Sequence, residues 1–198
     1  ENDTITVPRA EPLGYLGENF QRFRIHFISV IQNPHNKLQY FVYGKTKVEE
    51  NICSFQGSIF INESSIYKEG DIPMLKQGFV KGQYEFFEDP HQKGTGILRG
   101  NLRTEFYIDE HGNLKYDALI FASDGFQNNQ FEGTWKSYKS VSLKKCNWGD
   151  YRIPDSQGLD IGAGEFSPWD KYSAFGWANY NMAKEYFAPT PQVQEARK

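Results

Sequence analysis

The chain is 198 residues long, with 22 basic and 25 acidic residues for a formal charge of −3, and 16% of it is aromatic. That length supports one substantial core and falls short of two. A near-balanced charge without long basic blocks excludes duplex nucleic acid as the main partner, and no apolar run approaches the ~18 residues of a membrane helix.

The chain opens at Glu1, which is either a processed end or simply where the sequence was cut; on the first reading an export signal has been removed, and the expected location is extracytoplasmic, secreted or periplasmic. Residues 1–19, which include Pro8, Pro12, Gly14 and Gly17, are expected to run extended along the surface. Asn2-Asp3-Thr4 and Asn62-Glu63-Ser64 match the glycosylation sequon, which matters only in a eukaryotic secretory route.

Alternation of apolar and polar side chains governs the pattern from about residue 20 to residue 152. Phe23, Ile25 and Phe27 alternate with Arg22, Arg24 and His26; Leu98, Leu102, Phe106 and Ile108 oppose Arg99, Arg103, Glu105 and Asp109. Turn signals fall at Asn33-Pro34, Asp89-Pro90, Gly112-Asn113 and Asp124-Gly125. The pattern predicts about eight strands, over 20–32, 38–48, 51–61, 77–88, 96–109, 114–122, 129–139 and 142–152, each pairing with the next.

Within these strands the pattern apolar-x-Gly-x-apolar occurs at Gly57, Gly82, Gly100 and Gly133, each mid-strand on the face expected to be buried. Glycine weakens a strand interior, so its recurrence there predicts bends or close approach of backbones, as closing a barrel requires. The expected fold is therefore all-β: an eight-stranded antiparallel up-and-down barrel with one C-terminal helix. A β-sandwich whose glycines make room for large aromatics is the alternative. In strand count, short hairpins and inward glycines, residues 20–152 resemble the calycin-like group of up-and-down barrels, which includes lipocalins, fatty-acid-binding proteins and avidins, and exported bacterial proteins of similar build. No functional residue is carried over from that group, because the Gly-x-Trp of the lipocalin first strand occurs here on a late one, as Gly133-Thr134-Trp135.

Residues 153–188 change character. Gly158, Gly162 and Gly164 mark an irregular loop, after which Ser167, Pro168 and Asp170 read as a helix start with Ser167 as N-cap. Trp169, Tyr172, Gly176, Tyr180, Ala183 and Phe187 then form one helical stripe, expected to lie on the barrel, and residues 189–198 form a polar tail. The whole is read as a single domain.

All four Trp fall between residues 135 and 177. Tyr84, Trp135, Tyr138, Trp148, Asp150, Arg152, Asp160, Glu165, Trp169 and Trp177 are the candidate ligand-binding residues, aromatics supplying flat apolar area and charged groups fixing orientation. The structural alternative makes the aromatics a plug and lets Asp150 and Arg152 pair or cap a turn. Cys53 and Cys146 are either buried thiols or one disulfide, which would close a loop of about a hundred residues and contribute about 4–5 kcal/mol. Asp160 and Glu165 lie close enough in sequence to suggest an acid–base pair, but their loop context assigns no catalytic residue. His26, His35, His91 and His111 show no metal-ligand spacing, and no cofactor motif is present.

The leading functional expectation is a non-catalytic binding protein for a small apolar or aromatic ligand, in or at the mouth of the barrel. A glycan-binding module using exposed Trp and Tyr is the second. A small hydrolase or isomerase built on Asp or Glu in the 150–165 region is the third.

Overall fold

The computed structural model describes residues 11–178 and Tyr180. Its strands are β1 (Leu13–Leu16), β2 (Gln21–Asn33), β3 (Asn36–Val48), β4 (Asn51–Ile66), β5 (Lys76–Glu88), β6 (Gly96–Ile108), β7 (Leu114–Tyr116), β8 (Asn128–Ser137) and β9 (Leu143–Asp150). Every pairing is antiparallel, and the ring runs β1-β2-β3-β4-β5-β6-β8-β9 and back to β1. β7 stands outside the ring, pairing with β6 only at Phe106–Ile108, beyond the stretch of β6 that faces β8. This is the expected meander curled into a barrel, and the ring leaves no place for the two facing sheets of a sandwich.

The strand that closes the ring is a correction to the sequence reading. Residues 13–16, expected to run over the surface, form β1 between β2 and β9, with all four residues buried. Both faces of β1 are covered, so it shows no alternation, and Pro12, Gly14 and Gly17 hid it further. Gly14 is required there: a Cβ on it would lie 2.9 Å from both the Phe23 carbonyl oxygen and the Trp148 Cβ. The strand expected over 114–122 shortens to β7, because at Asp117 the chain turns out of the ladder, the Asp117 carboxylate accepting the Leu119 N–H.

Inward side chains fill the ring. Phe23, Ile25, Val42, Phe55, Tyr84, Phe86, Leu98, Phe131 and Trp148 form one buried cluster, with Phe27, Ile59 and Trp135 packed against it. Phe131 and Trp148 stack at 4.9 Å, and Phe27 makes ring contacts with Phe55, Phe86 and Phe131 across the interior. Each fully buried large side chain contributes roughly 1.5–3 kcal/mol, and aromatic pairing adds about 1 kcal/mol per contact.

A second cluster sits outside the ring, where Leu13 and Tyr15 of β1 pack under Ile153, Leu159, Phe166 and Trp177. The C-terminal segment thus lies on the outer face of the barrel. Over its described residues it does not take up the long helix expected from the sequence: among them the one helix is a 3-10 helix, Asp170–Phe175, which ends at Gly176 with φ 91°, and Trp169, not Ser167, precedes it, without a side-chain cap. Ser167 instead donates its backbone N–H to Asp160, and Pro168 bridges Asp160 as extended chain, so tertiary pairing uses the residues that read as a helix start. Ala183 and Phe187 of the expected stripe, the tail at 189–198 and the sequon at Asn2 lie outside the described residues.

Candidate functional site

The ten candidate residues are distributed over three places. Tyr84 and Trp148 are core, 3% and 0% exposed, with rings 5.0 Å apart. Burial pushes the Tyr84 hydroxyl far above the ordinary phenol range, with the neighbouring Cys146 and Glu132 adding to it. Neither the Tyr84 hydroxyl nor Trp148 Nε1 has a hydrogen-bond partner among the described residues. Trp135 is half-buried at one end of the barrel, where its Nε1 donates to Glu88 Oε2 at 2.9 Å. That carboxylate, itself buried, also accepts from the Thr46 hydroxyl at 2.5 Å and from the Gly96 N–H at 2.9 Å. Tyr138 donates to the Glu88 carbonyl from outside, at 3.1 Å. Three donors on one buried carboxylate seal this end, with side chains from β3, β5 and β8 tied to a single group.

Cys53 and Cys146 are both free, buried thiols; of the two sequence readings, the bridge is not formed. Burial, then the Glu88 charge, pushes the Cys53 thiol up to about 11, and the same two causes hold Cys146 well above its ordinary value.

Arg152 and Asp160 meet in the C-terminal segment. The Arg152 guanidinium donates to Asp160 Oδ2 at 2.5 Å and to the carbonyls of Gly162, Ala163 and Gly164 at 2.8–3.1 Å. Asp160 Oδ1 accepts the backbone N–H groups of Gly162 and Ser167, both at 2.9 Å. The pair therefore folds the Gly-rich loop, and Glu165, exposed on it, is not brought to Asp160 by any hydrogen bond. Asp150 is buried and accepts from Tyr116 and from Asn129 Nδ2, at 2.9 and 2.6 Å. Trp177 is buried beneath the segment, its Nε1 donating to the Phe20 carbonyl at 2.7 Å, and Arg22 lies 5.0 Å over its ring. Trp169 is exposed, as is Tyr138 in part, and the two stand on different elements.

Two surfaces escaped the sequence reading. The first is the barrel end opposite Glu88, where β2–β6 run past the core. Phe27 and Ile59 form its floor. Beyond them the inward positions, fixed by the pairs Val30↔Val42, Tyr40↔Ile59, Ile61↔Gly82 and Ser64↔Val80, are largely apolar. Val30 is nonetheless 52% exposed, and Tyr40, Ile61 and Val80 are only half-buried. Thr104 and Asn129, hydrogen-bonded at 2.8 Å, border this mouth on the β6–β8 side. The second is a groove of about 550 Å³ on the outer face of β2 and β3, bounded by the β3–β4 turn and by Ala174 and Gly176 of the C-terminal segment. The apolar alternation that located the strands carries no signal for either, since exposure at a strand end and cover from a distant segment are not local properties.

Fold and surfaces together define a closed antiparallel meander with a packed interior and, at the end opposite Glu88, apolar side chains that are only partly covered. No family model, no curated protein and no solved structure matches the chain. Among the described residues no helix is long and apolar enough to cross a membrane, and no group of three or more His, Cys, Asp or Glu is placed to hold a metal ion.

Proposed function

We propose that the chain is a calycin-like, extracytoplasmic binding protein that holds a small apolar or aromatic ligand at the open end of its barrel, without catalysis. The single observation behind this reading is the accessible apolar lining of that end, with Val30 at 52% exposure on the face that is core elsewhere along β2. An inward apolar surface left open to water is costly unless something covers it. The interior itself is taken up by Phe27, Phe131 and Trp148, which is why this reading has the ligand at the mouth rather than inside. The test is titration with the neutral fluorescent probe N-phenyl-1-naphthylamine. Binding should be lost in Val30→Asp or Val80→Asp with the circular dichroism spectrum unchanged; probe binding retained by both variants would reject the reading.

A second reading, glycan recognition, draws on the outer face of the same strands. Phe41, Tyr43, Phe60 and Phe87 are 38–48% exposed there, interleaved with Gln56, Ser58 and Gln83. Aromatic faces beside amides suit sugar rings. Of the Trp among the candidate ligand residues, Trp148 and Trp177 are buried. A glycan array that gives a signal abolished by Phe41→Ala with Tyr43→Ala would favour it; a blank array would dismiss it.

A further inference from the structure

The outer wall of the barrel over β3, β4 and β5 carries aromatic side chains that the core does not use, and the antiparallel register fixes where they stand. Gln56 of β4 lies opposite Tyr43 of β3 on one side and Phe87 of β5 on the other, so the three form one row across three strands. All three side chains are exposed on the outward face, while the strand neighbours Val42 and Phe86 belong to the core. Phe41, two residues before Tyr43 on β3, is exposed as well, and so is Ile31, opposite it on β2. Apolar side chains gathered on one patch and left in water mark a binding surface.

The spacing of the row selects a shape. Neighbouring strands lie about 4.8 Å apart, so Tyr43 and Phe87 stand about 10 Å apart with an amide between them, the length of two sugar units in an extended β-1,4-linked chain. Along β3 the step from Phe41 to Tyr43 is only about 7 Å, which matches neither one unit nor two. A chain of this kind therefore fits the wall when it runs across the strands. The charge of the wall selects the class. Two shallow depressions mark it, of about 440 Å³ around Phe41, Tyr43, Gln56 and Phe87, and of about 470 Å³ around Phe60, Gln83, Glu85 and Arg99. Glu85 and Arg99 are the only charged residues lining either depression, and they pair with each other. Such a lining offers aromatic faces and amides to a neutral chain and no unpaired cation to an acidic one.

We propose, resting on the glycan reading of this face, that the wall binds a neutral, extended β-1,4-linked glycan laid across β3, β4 and β5. Alternate sugars stack on Tyr43 and Phe87, and the sugar between them exchanges hydrogen bonds with the Gln56 amide. The site is separate from the barrel mouth and stands or falls independently of the reading given for it.

Native gel electrophoresis of the full chain tests the assignment, with hydroxyethylcellulose, dextran or polygalacturonate cast in the gel, alongside titration with cellohexaose followed by the amide signals of β3, β4 and β5. Hydroxyethylcellulose should retard the wild type; dextran, which is neutral but α-linked, and the anionic polygalacturonate should not. Tyr43→Ala and Phe87→Ala should each weaken cellohexaose binding at least about tenfold, with Tm close to wild type because both side chains lie outside the core. Tyr43→Phe, which keeps the ring, should keep the affinity. Retardation in none of the three gels overturns the proposal and counts against the glycan reading with it. Retardation by dextran or polygalacturonate as strong as that by hydroxyethylcellulose leaves the glycan reading standing and overturns the assignment of a neutral, extended chain. Cellohexaose affinity that survives in both alanine variants, or that is lost in Tyr43→Phe, overturns the stacking on this row.

Discussion

Gly100 of β6 and Gly133 of β8 face each other directly in the barrel wall, so close that a Cβ on Gly100 would fall on the Glu132 carbonyl oxygen and within 2.7 Å of Gly133 Cα. A Cβ on Gly133 would in turn meet the Arg99 carbonyl and the Tyr84 hydroxyl. The two bare positions let the walls of a narrow barrel pass over the Tyr84–Trp148 cluster. Gly133→Val should cost about 3 kcal/mol, since neither a strand backbone nor a buried Tyr can yield. Urea denaturation measures it, and a loss below about 1 kcal/mol would show that the wall is more compliant than its register indicates.

Trp148 and Trp169 should separate core from surface. Trp148 is 0% exposed and stacked on Phe131, so Trp148→Ala should lose about 3–5 kcal/mol. Trp169 is 48% exposed, and Trp169→Ala should stay within about 0.5 kcal/mol of wild type by the same measurement.

The Arg152–Asp160 pair should act as the fastener of the Gly-rich loop. Both side chains are largely buried, so Asp160→Asn should destabilise by about 3 kcal/mol and make residues 161–165 more susceptible to limited proteolysis. Arg152→Lys should fail to rescue, because one ammonium cannot reproduce a fork that reaches a carboxylate and three carbonyls.

Alkaline pH should weaken the fold. The folded Cys53 thiol titrates at about 11 and the Tyr15 hydroxyl at about 12, both raised mainly by burial, against about 8.5 and 10 for exposed groups. The native state then holds more protons than the unfolded chain above pH ~8.5, so stability is full below that value and falls as pH climbs through 11. Tm should drop between pH 8 and pH 10.5, and Cys53→Ala should make the decline shallower. A Tm independent of pH over this window would contradict the burial of both groups.

Thiol accessibility gives an independent check on the same region. With both cysteines free and buried, Ellman's reagent at pH 8 should leave the native protein unreacted over minutes and titrate two thiols in guanidinium. Rapid reaction of the native protein would indicate that the Glu88 end opens.

Much of the fold was legible because its signals are local. Alternation with a period of two marks β2 through β6 and β8, and the inward Gly57, Gly82, Gly100 and Gly133 announce close walls whatever surrounds them. Little of the candidate site was. Tyr84 and Trp148, singled out as possible ligand contacts, turned out to be buried core, and Arg152, weighed as a partner of Asp150, holds Asp160 and the loop carbonyls instead. Whether an aromatic on the inward face meets a ligand or another aromatic depends on how far the opposite wall stands, which no sequence window contains.

The sequence by itself determined a meandering antiparallel barrel, since strand period, turn chemistry and bare positions act within a few residues. Only the tertiary structure decided that Leu13–Leu16 closes the ring, that Asp160 holds a loop ahead of a short 3-10 helix, and which apolar residues stay exposed at one end of the barrel. The closing of the ring turns on burial by segments more than a hundred residues away, as when Tyr15 donates its hydroxyl to the Asp155 carbonyl across 140 residues of chain. Long-range cover of this kind leaves no periodic trace in the residues that receive it.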